Sequence, residues 1–353
     1  MPQHLRSVGG VGPKYDRIGF RYWNTPGAMK EYIAKGDKGR FLGWFSTLIQ
    51  AAFSFAGVET VAVAAGETEN PRRNIPKAVR RVFYRILFFY VIGSLIIGMI
   101  VPYNEPHLLS AQATGKANGA QSPWVIAVNN AGIPALPSII NAILLTSAFS
   151  AGNAFLYVSS RYLFALAQNN HAPKVFLKCT KRGVPWVSVL ATASISLLTY
   201  MSTTAGSNVV FTWFQNLTTV ANTLTWISIC IAYIRFRKAL DAQGVSRETL
   251  HYKAPLQPYS CWFTLCFFSI VVLFNGFPAF CPWNTSKFLT AYLGVAIYFC
   301  LYVFWKVVKR TPFIKSSEAD LWTGKAALDT MMDGPWPNEK PRNIIERIWF
   351  WIA

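Results

Sequence analysis

Polar and apolar positions do not alternate along this chain; they separate into long blocks. No Asp, Glu, Lys or Arg occurs in residues 117–160, 184–234, 254–286 or 288–305. A bilayer-crossing helix needs about 20 apolar residues, so these blocks and two shorter ones predict seven helices. They lie at about residues 41–65, 82–101, 136–164, 185–201, 209–234, 262–280 and 288–308. The fold class expected is an all-α polytopic membrane protein. Residues 1–40 form an external segment, 41–308 the transmembrane domain and 309–353 a cytosolic tail.

Composition supports this reading. The chain is 52% hydrophobic and 14% charged, against roughly 25% charged in soluble proteins. A net charge of +19 raises the question of nucleic acid, but the bases sit in short segments between apolar blocks. PRRNIPKAVRR follows the first span, NNHAPKVFLKCTKRG the third, RFRKAL the fifth and KVVKRTPFIK the seventh. The intervening loops hold few bases, among them Lys116 and Lys287. By the positive-inside rule the basic loops and the C-terminus are cytosolic, and no nucleic-acid partner is expected. One segment conflicts with this pattern. Residues 1–40 carry eight bases, Arg6, Lys14, Arg17, Arg21, Lys30, Lys35, Lys38 and Arg40, yet fall outside. They read as an external loop that follows a missing helix.

Catalytic and metal chemistry find little support. The six cysteines form no CxxC pair and the four histidines show no metal-ligand spacing. No phosphate loop, nucleophile elbow or paired His-Glu helix occurs. The chain is therefore not read as an enzyme, and neither cofactor nor metal is expected. Asn216-Leu-Thr218 is a sequon within a span, and Asn284-Thr-Ser286 a second one close to the membrane. The terminal Trp349, Phe350 and Trp351 suit an interfacial anchor.

The informative anomaly is FSFAGVETVAVAAGETENP, residues 53–71. It places Gly57 and Glu59 inside the first apolar block. Two readings of Gly57 stand. Either it interrupts the helix where backbone faces a cavity, or it lets two continuous helices approach closely. Glu59 is the sole acid in residues 41–66 and lies about 10–12 Å along the helix from Glu67. It is either a proton-linked or substrate-facing carboxylate, or a structural acid bonded to a polar neighbour helix. Glu67, Glu69, Arg72, Arg73 and Lys77 form either an inner gate of switching ion pairs or a solvated basic loop. Asn74 is placed to cap the helix entering the second span. The third span is rich in small and polar residues, with Ser147 and Ser150 candidates for a substrate path. Thr218 and Thr219 in the fifth span are candidates for specificity, with bonding to their own helix the competing role.

At ETENPRRNIPKA the chain resembles a fungal amino-acid permease of the amino-acid/polyamine/organocation superfamily. GPKYDRIGFRYWNTPGA, VPYNEPHLL, SRYLFALAQNNHAPKVF with GVPWVSV, and IAYIRFRKALDAQG resemble further blocks of that family, in order. The resemblance implies a LeuT-like inverted-repeat transporter fold. Of twelve family helices the chain would hold six to twelve, that is the second five-helix repeat plus two C-terminal helices. Helices one to five, with the glycine-rich break that holds the substrate carboxylate, would be missing and are expected from the same gene.

By the same resemblance the function is amino-acid transport, proton-coupled, by alternating access at the plasma membrane, with amino acid and protons as partners within the lipid bilayer. The backbone around Phe53, Ser54, Phe55, Ala56 and Gly57 would receive the substrate ammonium, Thr218 and Thr219 would contribute to the substrate site, and Glu59 is the proton-coupling candidate. Two departures stand out. A small Ser-Gly pair frequent in the family is replaced by Thr218-Thr219, and a frequent terminal Trp-Cys by Ile352-Ala353. The competing reading is a short, non-transporting interaction or regulatory membrane protein, or a decaying permease copy.

Overall fold

A computed structural model describes residues 18–68, 70–114, 122–132, 135–203, 207–250, 252–254, 256–325, 329 and 343–344. The described residues are mostly helical and form no β-strand. The helices are α1 (Gly36–Ser54), α2 (Pro71–Ile100), α3 (Pro106–Thr114), α4 (Pro123–Asn130), α5 (Leu136–Gln168), α6 (Trp186–Ile195), α7 (Ser207–Ala242), α8 (Tyr259–Phe274) and α9 (Thr285–Lys309). Among the described residues six segments are long and apolar enough to cross a membrane: Gly36–Ala65, Pro71–Ile100, Leu136–Gln168, Val210–Ala242, Tyr259–Ala279 and Thr285–Lys309.

The expected span at 185–201 differs from the other six. It is an apolar helix, Trp186–Met201, too short by residue count. Its second half is the 3₁₀-helix Ser196–Thr203, whose rise of about 2.0 Å per residue exceeds the 1.5 Å of an α-helix. Ten α residues and eight 3₁₀ residues therefore extend roughly 31 Å, close to the hydrocarbon thickness.

The second span also differs from the sequence expectation. Its helix starts at Pro71, well before the apolar stretch, so Asn74 lies inside α2 and is not its cap. Arg and Lys are good helix formers, and Asn70, at φ 44°, turns the chain just ahead of Pro71. Elsewhere the ends follow ordinary capping chemistry. The Asn284 side chain accepts the Lys287 N–H at 3.0 Å at the start of α9, and Lys306 and Lys309 occupy its last turn.

The chain divides into two compact units. The first comprises 1–47 and 87–216, the second 48–86 and 217–353. In the first, Ile100 and Val101 pack with Ile126 and Ala127, supported by Ile97 and Leu108. Part of the segment ahead of α1 docks on the end of α2: the Trp23 indole donates to the Gly98 carbonyl at 3.2 Å. Tyr22, Trp23, Gly98 and Tyr103 help line a cavity of about 310 Å³ there. α5 contacts α4 and α6, and the hydroxyl of fully buried Ser188 on α6 donates to the Phe176 carbonyl at 3.0 Å.

In the second unit Ile49 joins Val220, Leu224, Val271 and Val272 in one core. α9 crosses α7 closely at Gly294. A Cβ there would lie 3.1 Å from Val220 and 3.3 Å from Leu217. Ser228 and Tyr298 share a hydroxyl hydrogen bond at 2.8 Å.

Apolar side chains on the spans are largely turned outward. Leu145 and Phe149 on α5 are 73% and 80% exposed. In water such a surface would be unstable, whereas against lipid tails it costs nothing. The terminal Trp349, Phe350 and Trp351, together with Glu69 and Lys116, lie outside the described residues.

Candidate functional site

The first span is discontinuous at Gly57. α1 ends at Ser54, a turn carries the chain through Gly57 at φ 94°, and Val58–Glu67 continues as a 3₁₀-helix. Ten residues of 3₁₀-helix is unusually long, since runs beyond 3–4 are uncommon. The turn is bonded locally. The Phe55 N–H donates to Ala52 and the Ala56 N–H to Phe53, both at 3.1 Å. The Gly57 carbonyl accepts the Thr60 N–H at 3.1 Å and the Thr60 hydroxyl at 2.5 Å. A Cβ on Gly57 would meet nothing closer than 3.9 Å, so glycine is required here by backbone angle and not by space.

Two residues beyond the turn, Glu59 finds a partner far away in sequence. The Trp226 indole N–H donates to Glu59 Oε2 at 2.9 Å. Trp226 in turn packs on Phe268, ring centroids 5.1 Å apart. Phe268 meets Phe267 edge-on, and Phe267 stacks on Phe263. The half-buried carboxylate is thus oriented by α7, which is itself braced by the aromatic face of α8. A carboxylate accepts at both oxygens, so one bond from Trp226 leaves acceptor capacity for a further donor.

The break is held on both sides by the same helix. Before it, Ile49 packs with Val220 and Leu224; after it, Glu59 is bonded to Trp226. On α7 the buried stripe is Thr219, Val220, Thr223 and Leu224. The two threonines singled out from the sequence therefore separate, Thr219 being 2% exposed and Thr218 outward-facing. Thr223 is fully buried and bonds its hydroxyl back to the Thr219 carbonyl at 2.8 Å.

Of the other candidates, Phe53 is 37% exposed, and Ser54, Phe55, Ala56 and Gly57 are half-buried. Ser147 and Ser150 are exposed on α5, in the other unit. Sequence reasoning missed Trp226 and Thr223. The signal was available as spacing, since Thr219, Thr223 and Trp226 stand at i, i+4 and i+7 on one helical face.

At the basic end of the second unit, Arg72 pairs with Asp329 of the tail at 2.6 Å. The tail also docks on α7. Arg235 donates to the Ile314 carbonyl at 2.6 Å and lies over the Phe313 ring, and Gln243 donates to Ser316 and Ala319 carbonyls. Within the tail, hydrogen bonds from Thr323 and Trp322 hold the Asp320 carboxyl below its usual pKa. After α7, the Lys253 ammonium does the same for Glu248.

Comparison with known proteins now places this arrangement. The family model for amino acid permeases matches residues 6–318. The chain belongs to the amino acid permease family. It is 45% identical over 347 residues to a proline-specific permease of Emericella nidulans, covering 97% of this chain and 63% of that protein. A lysine-specific permease of Saccharomyces cerevisiae is 38% identical over 339 residues, 95% of this chain and 54% of the relative. A dicarboxylic amino acid permease of the same yeast is 40% identical over 325 residues, 91% of this chain and 53% of the relative. The chain thus spans between about half and two thirds of the length of these relatives. No solved structure matches it. These relatives are permeases and not enzymes, and the chain is an integral membrane protein.

Proposed function

We propose that this chain is the helix-six-to-twelve part of a proton-coupled amino-acid symporter of the fungal plasma membrane, with a LeuT-like inverted-repeat fold and a cytosolic C-terminus. The observation that carries the reading is the broken first span, held at both ends by α7, in a chain 45% identical to a proline-specific permease. Discontinuous helices build midplane sites in transporters, because their freed backbone groups can face a ligand without exposure to lipid.

In this mechanism the backbone of Phe53–Gly57 receives the substrate ammonium and the Phe53 ring closes over it. Glu59 takes and releases the coupled proton, with Trp226 holding the carboxylate in place. Thr219, on the buried face of the helix that holds the break, contributes to the size and polarity of the side-chain pocket, whereas Thr218 faces outward. Alternating access then rocks one helical bundle against another around this site. In this proposal the substrate carboxylate is held by helices one to five of the full-length protein. Proline is the first substrate to test, given the specificity named for the Emericella relative.

The test is uptake of labelled proline by cells carrying the full-length gene, with and without a protonophore. Saturable uptake that collapses with the proton gradient is expected. Glu59→Gln should abolish accumulation against a gradient. Normal proton-coupled accumulation in that variant would remove Glu59 from the mechanism.

A further inference from the structure

We propose that the first turns of α2 form a binding surface for anionic lipid headgroups at the cytosolic leaflet. Residues 70–104 contain no Asp or Glu, while Arg72, Arg73, Lys77, Arg80, Arg81 and Arg85 fall within the first half of α2. At about 100° per residue these bases are not scattered. Arg73, Lys77, Arg80 and Arg81 form one stripe, with Tyr84 on it and Arg85 at its edge. Ile75, Val79, Val82 and Ile86 form the opposite stripe. Exposure largely follows the same division: Arg73, Lys77, Arg80, Tyr84 and Arg85 are exposed, whereas Arg81, at the side of the stripe, and all four apolar residues are half-buried. The apolar stripe is packed and the basic stripe faces outward.

Arg72 is engaged by Asp329. Among the described residues Arg73, Lys77, Arg80, Arg81 and Arg85 have no acidic partner. A row of unneutralised cations is what an anionic surface recognises, each contributing roughly fivefold in association near such a surface.

Position along α2 fixes which bases take part. From Val82 to its end at Ile100 the helix extends about 29 Å at 1.5 Å per residue, close to a hydrocarbon layer of about 30 Å. Val82 therefore marks the membrane boundary. Headgroups extend roughly 5–7.5 Å beyond it, which reaches Arg81, Arg80 and, at the outer edge, Lys77. Arg85 lies one turn inside and returns its guanidinium to the boundary along its aliphatic stem. Arg73 stands about 14 Å out, past the headgroups. The binding set is Lys77, Arg80, Arg81 and Arg85, and Arg73 is the built-in control. This placement rests on the proposed orientation, with the basic loops cytosolic.

The full chain, reconstituted in phosphatidylcholine vesicles containing spin-labelled phosphatidylserine or spin-labelled phosphatidylcholine, tests the proposal. The immobilised lipid fraction is read directly, without transport, so failure here leaves the proposed transport function standing. Expected is a several-fold preference for phosphatidylserine that falls with salt. It should drop close to unity in a Lys77→Gln, Arg80→Gln, Arg81→Gln variant, persist in Arg80→Lys, Arg81→Lys, and change little in Arg73→Gln. Equal retention of both lipids by the unmodified chain would overturn the proposal, as would an Arg73→Gln effect matching the triple variant. Full displacement of the lipid by inorganic phosphate would assign the surface to soluble anions instead. In a chain whose six native cysteines are replaced by serine, labelling of Lys77→Cys by an impermeant maleimide on intact cells would show the orientation to be wrong independently of lipid preference.

Discussion

Gly57 and Gly152 both interrupt apolar runs near the middle of a membrane-length segment, yet only one of them breaks its helix. Gly57 sits at φ 94° between α1 and a 3₁₀-helix. Gly152 lies inside the unbroken 33-residue helix α5. Neither is crowded, since a Cβ would meet nothing within 4 Å at Gly152 and nothing closer than 3.9 Å at Gly57. The difference lies in the neighbours. Gly152 is flanked by Ala151, Asn153, Ala154 and Leu156, mostly good helix formers. Gly57 is followed by Val58, Thr60, Val61 and Val63, whose branched side chains are restricted in a helix. The Thr60 hydroxyl then takes the Gly57 carbonyl, and α7 holds both flanks. Glycine permits a break; side-chain competition and tertiary anchors impose one.

The comparison can be broken most forcefully at Gly57. Gly57→Val puts a branched residue at positive φ, a strain of up to about 3 kcal/mol. In the full-length protein, proline uptake should fall by about a hundredfold, measured as initial rate at equal surface expression. Unchanged uptake would mean that the left-handed turn is dispensable. Next comes the anchor. Trp226→Phe keeps the ring stack on Phe268 but removes the donor to Glu59. A hydrogen bond to a charged group contributes about 1.5–3 kcal/mol, so uptake should drop at least about tenfold and its pH profile should move. A profile identical to the parent would detach Trp226 from the carboxylate's role. The smallest effect belongs to Gly152→Ala, which should leave uptake intact and raise thermal stability in detergent by roughly 0.5–1 kcal/mol. A transport defect there would show that α5 also depends on a glycine hinge.

Much of the helical layout was legible because charge-free blocks in a membrane chain have few alternatives. The 3₁₀ winding of the second half of the 185–201 span was not legible, because periodicity does not separate α from 3₁₀ winding in a short apolar run. The start of α2 was misplaced because the apolar boundary marks the bilayer while the helix continues through Arg80 and Lys77 to Pro71. At the candidate site, Glu59 stood out as an acid that lipid-facing helix would exclude, and Gly57 as the glycine two residues before it. Trp226 did not, since its bond to Glu59 joins residues 167 positions apart and a tryptophan in a span is otherwise unremarked. The separation of Thr218 from Thr219 follows from helical phase, which requires knowing which face of α7 is buried.

α7 runs without interruption from Ser207 to Ala242, and that continuity has a thermodynamic corollary. It carries Trp226 at the break and, 17 residues or about 26 Å further on, Gln243 just beyond its end under the tail. Two ligands of one rigid body are subject to reciprocity. Whatever factor tail release imposes on occupancy at Glu59, occupancy must impose on tail release. On the proposed function, if α7 couples the two, the susceptibility of residues 311–325 to a protease changes with occupancy at Glu59.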